Sequence, residues 1–147
     1  MNANETKLEY LHPELTEKII SVFYEVYNEL GYGFLESVYQ RAMTIALRAQ
    51  GLEISTETPL PVWFRGEQVG DFRADLVVND RVVVELKAAR TIEASHEAQV
   101  LNYLRATAME VGLLLNFGPR LAIRRLVFSN ERKKSAFISV NLRLEVL

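Results

Sequence analysis

The chain contains no cysteine, which excludes a disulfide framework and any thiolate zinc site. It also lacks a long apolar run: no stretch approaches the roughly 18 consecutive apolar residues that a membrane span needs. The segment Met1-Asn2-Ala3-Asn4-Glu5-Thr6-Lys7 has neither the basic start nor the apolar centre of a secretory signal. These absences lead to the expectation of a cytoplasmic protein. Charge of one sign is scarce too. A formal net charge of -2 speaks against a dedicated electrostatic DNA binder, because affinity for nucleic acid comes largely from Lys and Arg neutralising phosphates. Any basic surface must be local, and the densest basic stretch in sequence comprises Arg120, Arg124, Arg125, Arg132, Lys133 and Lys134. Its plain alternative is a solvated face. Gly31 and Gly33 are too sparse for a phosphate-cradling loop, and no repeat or low-complexity segment marks a domain boundary.

What is present is average in bulk: 147 residues, 49% hydrophobic and 24% charged, suited to a single domain with a sizeable core. Apolar positions Leu15, Ile19, Val22, Phe23, Val26, Tyr27 and Leu30 predict a helix over 13–30, with Pro13 in its first turn and Gly31 at its stop. A second helix is expected over 34–50, buried through Leu35, Val38, Ala42, Ala46 and Leu47. Residues 54–64 read as an edge or interrupted strand because Pro59 and Pro61 remove two ladder donors. Strands are expected over 69–78 and 82–88, and a third helix over 93–109, with Ala98, Leu101, Leu104 and Ala108 inward. Strands over 111–117 and 121–128 follow, and the alternation from Phe137 onward predicts a last strand at about 136–147. The order implies an α/β fold, a mixed sheet flanked by helices.

One segment is energetically odd. Val82-Val83-Val84-Glu85-Leu86-Lys87 places a carboxylate and an ammonium in a strand of aliphatic residues, which costs free energy unless each finds a partner or a metal. Asp75 lies ten residues upstream in the preceding strand. A two-residue loop would set Asp75 and Glu85 on opposite faces. A three-residue loop, Asn79-Asp80-Arg81, pairs Val78 with Val82 and Asp75 with Glu85. One face then carries Phe72, Ala74, Leu76, Val78, Val82, Val84 and Leu86, and the other Arg73, Asp75, Val77, Val83, Glu85 and Lys87. Paired Cβ atoms lie roughly 5 Å apart, a suitable separation for two carboxylates sharing a cation. The residues leave two readings open: a metal site, or a cross-strand salt-bridge cluster in which Arg73 and Lys87 neutralise Asp75 and Glu85.

Asp75 followed by Glu85-Leu86-Lys87 resembles the signature of the PD-(D/E)XK nuclease superfamily, with Ala74 where the superfamily often has proline. Gly33-Phe34-Leu35-Glu36-Ser37-Val38-Tyr39 resembles the motif that names the GxxExxY proteins, a bacterial and archaeal group within it. His96-Glu97-Ala98-Gln99, Leu101-Asn102-Tyr103-Leu104 and Gly112–Gly118 also fit, so the likeness runs from about Leu15 to Phe128. The resemblance implies a restriction-endonuclease-like core at about 13–129 and a metal-dependent nuclease acting on DNA before RNA. Asp75, Glu85 and the Leu86 backbone carbonyl would hold Mg²⁺ or Mn²⁺, with Glu36 joining directly or through water. Hydrolysis would be by a metal-activated water.

By the same resemblance Lys87 would orient the water or stabilise developing charge, and Gln99 would complete the catalytic set. Tyr39, Arg73, His96 and Tyr103 would support it. Each role has a plainer counterpart. Glu36 suits the positive end of a helix dipole, Tyr39 suits packing, Lys87 suits a salt bridge, and a lone His96 is more often a surface residue than a ligand. His12 has no such company. The alternative function is a catalytically silent nuclease-fold binding module. A homodimeric, junction-cleaving form rests on analogy of fold alone.

Overall fold

A computed structural model describes residues 11–133. The strand expected at 136–147 therefore lies outside the described residues. Helix α1 spans Pro13–Leu30, α2 Glu36–Ala49 and α3 Ala94–Ala106; the strands are β1 (Ile54–Phe64), β2 (Glu67–Val78), β3 (Val82–Lys87), β4 (Val111–Phe117) and β5 (Leu121–Val127). They form one five-stranded sheet in the order β1-β2-β3-β4-β5. Only β3 and β4 are parallel, with α3 in the connection between them, and the other pairs are antiparallel. This is the expected α/β architecture.

Sequence chemistry explains where each element lies. The two prolines of β1 cost little because β1 is an edge strand, where missing donors need not face a partner. Strands β3 and β4 are central, and their near-continuous aliphatic runs are buried on both faces, as parallel pairing demands. Helices α1 and α2 cover one face, packing Ile19, Phe23, Tyr39, Met43 and Leu47 onto Leu76, Val84, Leu86, Leu113 and Leu115. Helix α3 covers the other, where Tyr103 and Leu104 cluster with Ala74, Val77 and Val83. Gly112 is required by that closeness, since a Cβ there would sit 2.6 Å from Val100 Cγ1.

Three expectations need correction. Leu35 and Val38 are exposed, because Leu35 precedes α2 as its N-cap and the helix turns Tyr39, Met43 and Thr44 inward beside the expected Leu47. Ala98 and Ala108 are exposed, and α3 buries Val100 and Tyr103 beside the expected Leu104, because its inner stripe is the one carrying Gln99 and Tyr103. The apolar face of β2 is also divided. Leu76 and Val78 belong to the α1–α2 core, whereas Phe72 and Ala74 pack with Tyr103 beneath α3. The alternation of faces thus breaks at Asp75. Opposite it on β1 lies Glu57, whose φ of 50° is a left-handed conformation incompatible with a regular ladder.

Candidate metal centre

The loop after β2 fixes the centre. Asn79 and Asp80 both take positive φ, a conformation Asn and Asp tolerate better than most residues, and the Arg81 N–H returns to the Val78 carbonyl at 3.0 Å. Val78 pairs with Val82, Val77 with Val83 and Leu76 with Val84. This is the three-residue-loop register; the paired ladder ends at Leu76 and Val84, with Asp75 and Glu85 the next residue on each strand.

At that position side chains take over from the ladder. The Asp75 N–H donates to Glu85 Oε1 at 3.2 Å, and the Leu86 N–H donates to Asp75 Oδ2 at 2.8 Å. The two carboxylates are therefore held together, each through the other's strand. Glu85 is only 4% exposed. Burial first, and the neighbouring Asp75 charge second, push its carboxyl up to about 8. Burial raises Asp75 as well, opposed by the Leu86 N–H and by a hydrogen bond with Glu85, with Glu36 and Glu57 adding repulsion. No ion pair within 4 Å joins Arg73 or Lys87 to either carboxylate among the described residues. Lys87 acts on Glu85 through its charge alone, so the cross-strand salt-bridge cluster is not formed as direct ion pairs among the described residues.

Surrounding groups aim the pair. Gln40 of α2 donates through Nε2 to the Asp75 carbonyl at 3.2 Å, which ties the helix to the point where β2 changes face. Tyr103 of α3 is fully buried and its hydroxyl has no hydrogen-bond partner among the described residues. Burial, then the charges of Glu85 and Asp75, raise its phenol above the usual range. A buried hydroxyl without a partner costs about 1–3 kcal/mol, so its place beside two carboxylates points to a ligand, water or substrate that it serves.

Beyond Lys87 the chain is pinned by Asn116, 1% exposed. Its Oδ1 accepts from the Ala89 N–H and its Nδ2 donates to the Ala89 carbonyl, both at 2.9 Å. Gly118 makes that approach feasible, because a Cβ would lie 2.3 Å from the Ala89 carbonyl oxygen. The Gly112–Gly118 segment thus holds the end of β3 in place.

The other expected site residues fall as follows. Glu36 opens α2, exposed, and acts on Asp75 through its charge. Lys87 is half-buried and closes β3 beside Asn116. Gln99 lies half-buried one turn before Tyr103 on α3. Arg73 is exposed and pairs in register with Pro59. Tyr39 is packed inside, its ring stacked 4.0 Å from Phe117 and its hydroxyl donating to the Gly31 carbonyl at 2.6 Å. That bond clamps the loop before α2. His96 accepts the Glu93 N–H through Nδ1 at 3.1 Å, capping α3.

Two residues beside the centre escaped the sequence reading, Gln40 and Glu57. Pairing β1 with β2 about the Arg65-Gly66 turn alone would set Glu57 opposite Ala74; the irregularity between Val62 and Trp63 shifts the register by one and brings it to Asp75, and nothing local singles out Gln40. The late basic stretch does not form one free patch. Arg124 pairs with Glu97 at 3.2 Å, and Arg125 donates to the Leu11 carbonyl. Arg132 lies over the Phe128 ring, and Lys133 is spent on the carbonyls of Thr107 and Met109. Lys134 lies outside the described residues.

The chain matches the family model described as the PD-(D/E)XK nuclease superfamily over residues 13–126. It belongs to that superfamily. No curated protein matches it. A solved structure titled "Crystal structure of SSO0001" has 20% sequence identity and a TM-score of 0.52, and the match covers 72% of this chain and 57% of that one. That likeness shows the fold alone.

PD-(D/E)XK nucleases generally use divalent metals, and the donor set here fits such an ion. Two carboxylates with hard oxygen donors are held side by side and mutually repelling, with Lys87 acting on Glu85 through its charge but no ion pair within 4 Å among the described residues. A third carboxylate is not in reach: no group of three His, Cys, Asp or Glu side chains is placed to hold a metal among the described residues. Nor is any helix among them long and apolar enough to cross a membrane.

Proposed function

We propose that the protein is a metal-dependent nuclease of the GxxExxY group that hydrolyses phosphodiester bonds of DNA, with RNA the less favoured substrate. The observation that carries this reading is the interlocked pair of Asp75 and Glu85, in a chain of the nuclease superfamily. Asp75, Glu85 and the Leu86 carbonyl would hold Mg²⁺ or Mn²⁺, with Glu36 engaging through water. When bound, the ion supplies Lewis acidity at the scissile phosphate and a lowered pKa for the attacking water. Lys87, following Glu85 on the same face of β3, orients that water through its Nζ protons and offsets charge developing on the phosphate. The Tyr103 hydroxyl and Gln99 supply donors from α3, and Asn116 holds the Lys87 end of the strand in position.

The test is Mg²⁺-dependent cleavage of varied DNA substrates by the native protein and by Asp75→Ala, Glu85→Ala and Lys87→Ala. Loss of cleavage in all three variants supports the reading, and equal cleavage by all four proteins refutes it. The second reading is a silent binding module that keeps the fold. It is favoured by one observation, that only two carboxylates converge. Calorimetry separates the two: no heat of binding at millimolar Mg²⁺ or Mn²⁺ selects the module.

A further inference from the structure

A groove of about 410 Å³ runs between α2 and β1, lined by Ser37, Gln40, Arg41, Thr44, Arg48 and Glu57 among others. It adjoins the metal centre through two of its wall residues: Gln40 donates to the Asp75 carbonyl, and the Glu57 charge acts on the Asp75 carboxylate. We infer that this groove carries the sugar–phosphate backbone of the nucleic-acid substrate, with Arg41 and Arg48 as its phosphate contacts. The inference rests on the nuclease reading and adds to it the path of the strand.

The charges are graded along the groove. Glu36 and Glu57 lie at the Asp75 end, where a cation would offset them, and the two arginines lie further along α2. Arg41 and Arg48 are seven residues apart, about 10 Å along a helix axis and roughly three nucleotide steps of a duplex strand. Both are exposed. Arg41 has no hydrogen bond or ion pair among the described residues, and Arg48 donates once, to the Ile54 carbonyl at 3.2 Å. In a chain of net charge -2, with Arg124, Arg125, Arg132 and Lys133 of the late basic stretch engaged internally, Arg41 offers all its donors to the groove and Arg48 those not given to Ile54.

The experiment measures binding of a fluorescein-labelled DNA duplex in EDTA across a salt series, so that cleavage does not intervene. Arg41→Gln and Arg48→Gln should each flatten the slope of log K against log salt by about 0.9, and the double variant should bind about tenfold more weakly. Arg41→Lys and Arg48→Lys should restore the slope. Arg81→Gln, at the opposite end of β3, should bind as the native protein does. Arg48→Gln also loses the bond to Ile54, so its melting temperature is compared with that of the native protein, and Arg41→Gln is free of that complication. Binding within twofold of native in the double variant, or no binding by the native protein, overturns the groove. Arginine-dependent binding with no cleavage in Mg²⁺ keeps the groove and fails the nuclease.

Discussion

The buried carboxylate pair makes the metal-free protein lose stability as pH rises, and replacing Glu85 with Gln should abolish most of that loss. In the folded chain Glu85 is raised from 4.5 to about 8. A group whose folded pKa is raised gives stability that is fully present below pH 4.5 and lost as pH climbs to 8, because the folded state binds the extra proton across that window. Each pH unit carries about 1.4 kcal/mol per proton. The ceiling is therefore about 5 kcal/mol between pH 4.5 and 8, and about 3 kcal/mol by pH 7.

Asp75 is raised as well and adds in the same direction. Glu85→Gln retains a side-chain oxygen for the Asp75 N–H and adds a donor toward the Asp75 carboxylate, so it imitates the protonated acid. Urea denaturation in EDTA at pH 5, 6, 7, 8 and 9 checks this. The variant should match the native protein at pH 5 and exceed it by several kcal/mol at pH 8, with the native curve levelling off above 8. Parallel curves for the two proteins would show that the carboxylates do not share a buried, repelling site. Added Mg²⁺ should then stabilise the native protein at pH 8 and leave Glu85→Gln little changed.

Four further substitutions test the same geometry. Asn116→Ala leaves the Ala89 N–H and carbonyl without their partner and should cost about 2–3 kcal/mol in urea denaturation. Gly118→Ala pushes a Cβ against the backbone of Ala89, which cannot rotate away, and should lower stability by about 1–3 kcal/mol. Gly112→Ala meets only the Val100 side chain and should cost less by the same measurement. Tyr103→Phe removes a hydroxyl that has no partner, so the melting temperature should hold or rise while Mg²⁺-dependent cleavage slows. Cleavage at the native rate would assign that hydroxyl no part in the reaction.

Much of the fold was legible because each element carries its own local cause. Pro13 and the apolar stripe set α1. Two prolines put β1 at an edge, and unbroken aliphatic runs put β3 and β4 in the middle. The Asp75–Glu85 partnership was legible for a related reason: a one-residue slip in a hairpin reverses every face, so few registers were compatible with the residues. The face of α3 was not, since its apolar residues are scattered around the helix and only the sheet decides which stripe is covered.

The sequence by itself determined the order of elements, the hairpin register and the identity of the two carboxylates, all consequences of short-range backbone chemistry and alternation. The tertiary structure alone decided what surrounds them. It placed Glu57 opposite Asp75, broke the alternation of β2 there, bonded Gln40 to the Asp75 carbonyl and left the Tyr103 hydroxyl without a partner. It also engaged Arg124, Arg125, Arg132 and Lys133 separately and set Arg41 and Arg48 along a groove whose wall includes Gln40 and Glu57. These are contacts between segments distant in the chain, and their partners are chosen by packing and burial rather than by any local pattern.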